Sequence, residues 1–301
     1  MTAKVLCIGD VMLDVVTKIA VAPSQINYGS DTPAEISTHG GGAAGNVASW
    51  LTRTDARSTI VGHVGNDAAG SALVSEFDAL GVRHHNLVVD NGHSGVVVVL
   101  VDPSGERTMF PDNGANSGLQ IRDLPALDEY NAVYISGYSP LDPLSRVGIK
   151  EMIVKIKAAG LPIFFDPASV GGMKEVDTVE VKSWLSSMDV LLLNEEEAIY
   201  LTGESDLEKS LEILLQSCET VVIKLGSKGA IGKSRNGESI SIPAVPATVI
   251  DTTGAGDSFA AGFIAQYATK KDLHRALVAG AQVASHCVAI VGARPRVGTT
   301  I

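Results

Sequence analysis

From residue 131 to residue 225, short aliphatic runs alternate with longer amphipathic segments. This alternation limits the possible folds more than any other feature of the chain. "NAVYIS", "LPIFFDP", "DVLLLN" and "TVVIKLG" read as strands buried on both faces. "LSRVGIKEMIVKIKAAG", "EVKSWLSSM", "EEEAIYLTG" and "DLEKSLEILLQS" read as the helices between them. Parallel neighbours need a crossover connection, usually a helix, so the pattern predicts a parallel sheet covered on both faces. The N-terminal third joins the same scheme, with "KVLCIGD" and "RSTIVGHVG" as strands. "NVASWLTR" and "AAGSALVSEFDALG" are its helices, the second closed by Gly81.

Two patches break the rhythm. "DVVTKIAV" with "AEISTH", and "SGVVVVLVD" with "ERTMFPD", are partly alternating and separated by turn residues. They predict antiparallel strands with one wet face. Residues 13–39 and 95–112 are expected to meet as a small sheet outside the main layer. With neither linker nor internal repeat, residues 1–301 are expected to form one α/β domain.

Composition narrows the function classes. Hydrophobic residues make up 45% of the chain, enough for a large core. Lys and Arg total 23 against 34 Asp and Glu, a net charge of −11, with no dense basic run. Neither nucleic acid nor a membrane surface is an expected partner. Cys7, Cys218 and Cys287 are too scattered for a metal site or a disulfide framework and are expected to be buried thiols. The N-terminus lacks a signal-peptide pattern, and "GVVVVLVD" is too short to span a bilayer, so a cytoplasmic protein is expected.

Two glycine patterns mislead. Gly40, Gly42 and Gly45 have the G-x-G-x-x-G spacing of a dinucleotide site. The preceding "EISTH" is polar for the first strand of such a unit, and Asp67, the candidate ribose ligand, lies beyond the next strand. "GSKGAIGKS" ends like a phosphate-binding loop, but the required first glycine falls on Ser227 and Gly226 is one residue early. The following "GESISIPA" reads as a strand, so a hairpin with Lys228 and Gly229 near its entry is expected instead.

"DTTGAGDSFAAGF", residues 251–263, carries the chemistry. The N-terminus of a helix presents unpaired N–H groups and partial positive charge, and so attracts anions. Gly254 and Gly256 allow a ligand to approach the backbone, and Asp257 sits in the first turn. An acid placed beside an anion cradle is repulsive unless it has work to do. Abstracting a proton from a hydroxyl that attacks a phosphoryl group is such work.

"DTTGAGDSFAAGF" closely resembles the C-terminal signature of the ribokinase (PfkB) family of sugar and nucleoside kinases, and "GGGAAGNVA" resembles its N-terminal signature. "GDVMLD", "GAN" at 114–116, "FDP" at 165–167, "NEEE" at 194–197 and "KLGSKGA" at 224–230 extend the resemblance over nearly the whole chain. It implies a Rossmann-like α/β/α sandwich with a small β lid, which often makes a homodimer contact. It also implies transfer of the ATP γ-phosphoryl group to a substrate hydroxyl, usually a primary one. Asp257 matches the catalytic base, and the backbone of Thr253, Gly254, Ala255 and Gly256 matches the anion hole. Asp14, Gly41, Gly42 and Asn46 match the substrate site. Asn194 and Glu197 match an N-x-x-E motif that organises Mg2+ and its waters, although a solvated helix start is the bland alternative. Lys224, Gly226 and Gly229 match the nucleotide-binding strand end and turn. Asp251 and Thr253, with the tail "AIVGARP", match a monovalent-cation (K+) site.

The chain also departs from ribokinase itself. Met12 stands where ribokinase usually has Asn, Ala43 where it has Lys, and Tyr138 near the place of an acidic residue. Lost polar contacts argue against plain ribose. Met12 and Tyr138 could line a greasier pocket for a larger sugar, a sugar acid or a nucleoside, or could simply be packing. His39, Arg107 and Asn113 fall in or near the lid, while His84 and His85 look like surface residues. A carbohydrate kinase is the leading reading. A nucleoside kinase and a silent sugar-binding regulator remain open.

Overall fold

The computed structural model describes residues 2–85, 87–90 and 92–299. In chain order the first strands are β1 (Lys4–Ile8), β2 (Met12–Ile19), β3 (Ala34–Gly41), β4 (Arg57–Val61), β5 (Val64–Gly65), β6 (Arg83–His84), β7 (Val88–Val89), β8 (Gly95–Val101) and β9 (Arg107–Asp112). They are followed by β10 (Ala132–Ser136), β11 (Ile163–Asp166), β12 (Val190–Asn194), β13 (Thr220–Lys224), β14 (Ala230–Ser234) and β15 (Ile240–Ile242). The helices are α1 (Ala43–Leu51), α2 (Ala68–Leu80), α3 (Tyr138–Leu141), α4 (Arg146–Ala158), α5 (Val170–Lys174), α6 (Thr178–Leu185), α7 (Glu195–Thr202), α8 (Leu207–Leu214), α9 (Ala255–Lys270) and α10 (Leu273–Cys287).

Nine strands form the main sheet in the order β15-β14-β13-β12-β11-β10-β1-β4-β6. The strands from β13 to β6 are parallel, and β14 and β15 run antiparallel at one edge. The apolar runs are buried on both faces, as their composition predicts. One core lies between the sheet and α1, α2, α9 and α10, and the other between the sheet and α4, α6, α7 and α8. The chain leaves β1 toward β4 and β6, then returns to build β10 to β13 on the other side. The order therefore reverses between β1 and β10, and a crevice opens there at the carboxyl edge.

The two irregular patches do form a separate four-stranded sheet, in the order β3-β2-β8-β9. Within each patch the strands are antiparallel, as expected. The patches join through β2 and β8, which run parallel, so the lid is a mixed sheet and not a wholly antiparallel one. The two hairpins are separated by much of the N-terminal subdomain, and the long return between them sets the direction of that joint.

Both decoys resolve as expected. Gly40 and Gly41 end β3, a lid strand antiparallel to β2, so the first strand of a dinucleotide unit is absent there. Residues 226–229 turn β13 into β14, which pairs antiparallel with β15. The three cysteines are free and buried. His84 lies on the edge strand β6 against Asp78 at 3.0 Å, and His85 is exposed. Among the described residues, no helix is long and apolar enough to cross a membrane.

Candidate active site

The carboxyl ends of five parallel strands deliver the polar residues of the crevice. β1 runs into Asp10, β10 into Tyr138, β11 ends on Asp166, β12 on Asn194 and β13 on Lys224. The sixth residue of the wall, Asp257, comes from α9, which is fixed by its apolar side. Phe259, Phe263 and Tyr267 stack at successive turns with centroids 6.4 and 5.1 Å apart, and Phe164 of β11 meets Phe263 and Tyr267 edge-on. Gly262 and Gly280 let α9 and α10 approach closely: a methyl group at Gly262 would meet the Ala279 carbonyl, and one at Gly280 the Phe259 ring.

This packing aims the N-terminus of α9 at the crevice. Gly254 caps the helix with φ of 75°, pressed against Ala293, where any side chain would collide with the backbone. The amides of Gly256 and Asp257, in the first turn, have no helical carbonyl to pair with. The Thr253 amide is used differently, donating to Asp251 Oδ1 at 2.9 Å, as does its hydroxyl at 2.7 Å.

Asp257 receives a hydrogen bond on Oδ2 from Asn46 Nδ2 at 2.8 Å. Burial pushes its carboxyl up to about 7, the Asn46 bond and Lys224 oppose that rise, and Asp166 and Asp10 reinforce it. Such a group is half ionised near neutrality, which suits a general base. Asp14, on β2, is raised to about 6, chiefly by burial; Arg294 opposes this, and Asp10, Asp251 and Glu76 add to it.

The glycines of "GGGAAG" are explained by side chains and not by a pyrophosphate. A Cβ at Gly41 would strike the Asp14 carboxylate, and one at Gly40 would strike Glu76 and Arg294. At Gly45 it would lie 2.5 Å from an Arg294 nitrogen. Gly42 precedes α1 with φ of 86°, against the Asp10 carbonyl. Asp10 in turn accepts from the Ala43 amide at 2.7 Å and caps α1.

Lys224 lies at the centre of the floor, paired with Asp166 at 2.5 Å. A Cβ on Gly256 would be 3.2 Å from its Nζ, so the ammonium sits beneath the first turn of α9. Burial would lower its pKa, but Asp166, Glu197 and Asp257 outweigh that and raise it. Asn194 and Glu197 close a reciprocal cap at the start of α7. The Asn194 amide donates to Glu197 Oε2, Asn194 Nδ2 to Oε1, and the Glu197 amide to Asn194 Oδ1, each at 2.8 Å. Glu197 is 2% exposed, so the solvated-helix reading of "NEEE" does not describe it. Burial, and then Asp166, raise its carboxyl, and Lys224 opposes them.

The remaining expected residues lie around this cluster. Gly226 and Gly229 shape the turn near the sheet's far edge, with Gly229 against the backbone of Ile242–Ala244. Met12 is 5% exposed and accepts from Asn116 Nδ2 at 3.0 Å at the joint between β2 and β8. Tyr138 keeps 45% of its surface open at the mouth of the crevice. Its phenol is pushed up first by burial and then by Asp10, Asp257 and Asp166.

Asp251 is fully engaged: beside the two bonds from Thr253, it pairs with Arg107 of β9 at 2.7 Å and accepts from the Gly292 amide at 3.0 Å. Asp10, Glu76, Asn116, Asp166 and Arg294 belong to the site or its immediate support, and sequence reasoning did not single them out. Asp10, Asn116, Asp166 and Arg294 lay inside quoted motifs; Glu76 carried no signal.

The sequence profile of the pfkB family carbohydrate kinases matches residues 2–298. The chain belongs to this family. A fructokinase of Vibrio alginolyticus is 30% identical over 83% of this pfkB-family chain and 84% of its own length. Arabidopsis thaliana ribokinase, solved with ribose and ATP, is 26% identical with a TM-score of 0.78, over 97% of this chain and 95% of that one. An adenosine kinase from Sinorhizobium meliloti superposes with a TM-score of 0.85 over 98% and 96% of the two chains, at 23% identity, which speaks for the fold alone. The relatives of this chain thus include sugar kinases of the pfkB family.

Proposed function

We propose that the protein is an ATP-dependent kinase of a sugar or sugar derivative, with Asp257 as the base. The observation that carries this reading is Asp257 itself, in the first turn of α9 and bonded to Asn46 in the first turn of α1, just after the glycine run. Asp257 takes the proton of the acceptor hydroxyl. The oxygen attacks the γ-phosphorus, the new O–P bond forms, and the bond to the bridging β,γ-oxygen breaks. ADP leaves with that electron pair. Gly254, Ala255 and Gly256 with the helix terminus steady the transferred group, helped by Lys224 below. Asp14 accepts acceptor hydroxyls, and the lid excludes water.

The floor also fits Mg2+. Asp166, paired with Lys224, and Glu197, near enough to raise the Lys224 pKa, are two buried carboxylates against one ammonium, an acidic excess that a hard cation relieves. Among the described residues no three acidic, His or Cys side chains form a ready metal cage, which suits an ion keeping waters and phosphate oxygens. Glu197 and Asn194 would hold the ion through waters, and when bound it neutralises phosphate charge. At Asp251 and Thr253 the Arg107 guanidinium already supplies the positive charge that a K+ would bring. A homodimer through the lid and a cytoplasmic setting belong to the same reading.

Nucleoside phosphorylation is the second reading, favoured by the open ring of Tyr138 as a stacking surface. The test is ADP release from Mg-ATP against pentoses, hexoses, sugar acids and nucleosides. Stimulation by a sugar supports the first reading, stimulation by nucleosides alone supports the second, and none with ATP still bound removes both.

A further inference from the structure

Arg294 lies in the C-terminal "GARP" segment, with only 2% of its side chain exposed. A buried guanidinium is costly unless every arm is satisfied. Here each nitrogen has its own partner on a different element. NH1 pairs with Glu76 of α2 at 2.6 Å, NH2 donates to the Gly41 carbonyl at the end of β3 at 2.6 Å, and Nε donates to Asn46 Oδ1 of α1 at 3.3 Å. The Phe77 ring lies 4.5 Å beneath the guanidinium carbon. Gly40 and Gly45 leave the space it occupies.

The bond to Asn46 has a consequence for the base. Arginine Nε can only donate, so the carbonyl end of the Asn46 amide must face it. The amide end must then face the other way, toward Asp257, where it donates at 2.8 Å. The same guanidinium fixes the carbonyl of Gly41, the residue pressed on Asp14. One buried cation therefore sets the base and the acceptor carboxylate from a single point.

We propose that Arg294 is a positioning residue for phosphoryl transfer, holding the Asn46 amide so that it aligns Asp257 with an acceptor bound at Asp14. The proposal rests on the reading of Asp257 as the base. Lysine cannot replace the fork, because an ammonium offers no planar set of donors to three partners at fixed angles. The charged and titratable groups facing Asp257 from the packed elements are Asp10 after β1, Tyr134 of β10, Tyr138 of α3, Asp166 of β11, Lys224 of β13 and Cys287 of α10. None of these is bonded to Arg294 in the structure, so its influence on the base runs through Asn46.

The experiment is a double-mutant cycle on kcat with Arg294→Lys, Asn46→Ala and the pair, using Mg-ATP with D-fructose, D-ribose and adenosine as acceptors. Asp257→Asn is run beside them, and binding of a non-hydrolysable ATP analogue reports folding. Arg294→Lys is expected to lower kcat by roughly ten- to a hundredfold with ATP-analogue binding kept. The pair is expected to be no slower than Asn46→Ala alone, because both act on one link. Should Arg294→Lys fail to fold, Glu76→Gln, which loosens the same guanidinium from its far end, is expected to lower kcat several-fold with the same non-additivity. Wild-type kcat in the folded Arg294 or Glu76 variant, or multiplicative losses in the pair, overturn the proposal. If Asp257→Asn keeps full turnover, the base assignment itself fails, a different outcome from wild-type kcat at Arg294.

Discussion

Arg107 on the outer lid strand and Asp251, just ahead of the N-terminus of α9, are joined by an ion pair of 2.7 Å. The pair ties the lid to the residue whose carboxylate also holds the Thr253 amide and hydroxyl. Lid position and the geometry at the start of α9 are therefore linked through one side chain. Arg107→Met is expected to raise the acceptor KM and to make turnover more responsive to K+ than that of the wild type. Rates in KCl against choline chloride check this. Equal indifference to K+ in both proteins contradicts the substitution of guanidinium for cation.

The acid limb of kcat/KM against pH is expected near 7, where the Asp257 carboxyl titrates in the free protein. Activity then falls about tenfold per pH unit below that point, because only the ionised base accepts a proton. A limb near the ordinary carboxylate range would show that burial does not act on the base as the packing implies.

The same elevation sets a stability trend. A carboxyl whose folded pKa lies above its unfolded value binds protons more tightly in the folded state. Its penalty is present in full above about 7 and fades as the pH falls toward the ordinary aspartate value of 3.8. Asp257→Asn is expected to stabilise the protein at pH 8 by about 1–4 kcal/mol, with the gain shrinking toward pH 4. Thermal unfolding at the two pH values measures it.

Much of this site was legible because its parts are local. The α9 cradle, its glycines and Asp257 lie within a single stretch, and the strand ends carrying Lys224 and Asn194 follow from the apolar runs. Arg294 was not legible as a support. Its partner Asn46 is 248 residues away, and an isolated arginine between Ala293 and Pro295 carries no period or spacing that points inward. Asp166 and Lys224 showed as separate strand ends. Their pairing follows only from β11, β12 and β13 being neighbours in the sheet. The parallel joint of β2 and β8 was hidden for the same reason, since strand direction between distant hairpins is set by the connection and not by either hairpin's residues.

Gly41 offers a test of the acceptor side. A methyl group there meets the Asp14 carboxylate, so Gly41→Ala is expected to raise the acceptor KM by tenfold or more on the scale of one lost charge-assisted hydrogen bond, roughly 1.5–3 kcal/mol. ATP-analogue affinity is expected to be unchanged, and titration calorimetry separates the two.

Lys224→Met removes the cation between Asp166 and the buried acids. Breaking a buried pair from one side typically costs about 3–5 kcal/mol. A loss of stability of that order in chemical denaturation is expected through neutral pH, shrinking as the pH rises past the ordinary lysine range, because the folded Lys224 pKa is raised.

The most direct measurement compares wild type and Asp257→Asn in ADP formation from saturating Mg-ATP with the best acceptor of the panel. The account predicts a loss of about a hundred- to ten-thousandfold in kcat with ATP-analogue binding intact. A kcat within about tenfold of wild type would contradict Asp257 as the base, since general-base catalysis is worth more than that.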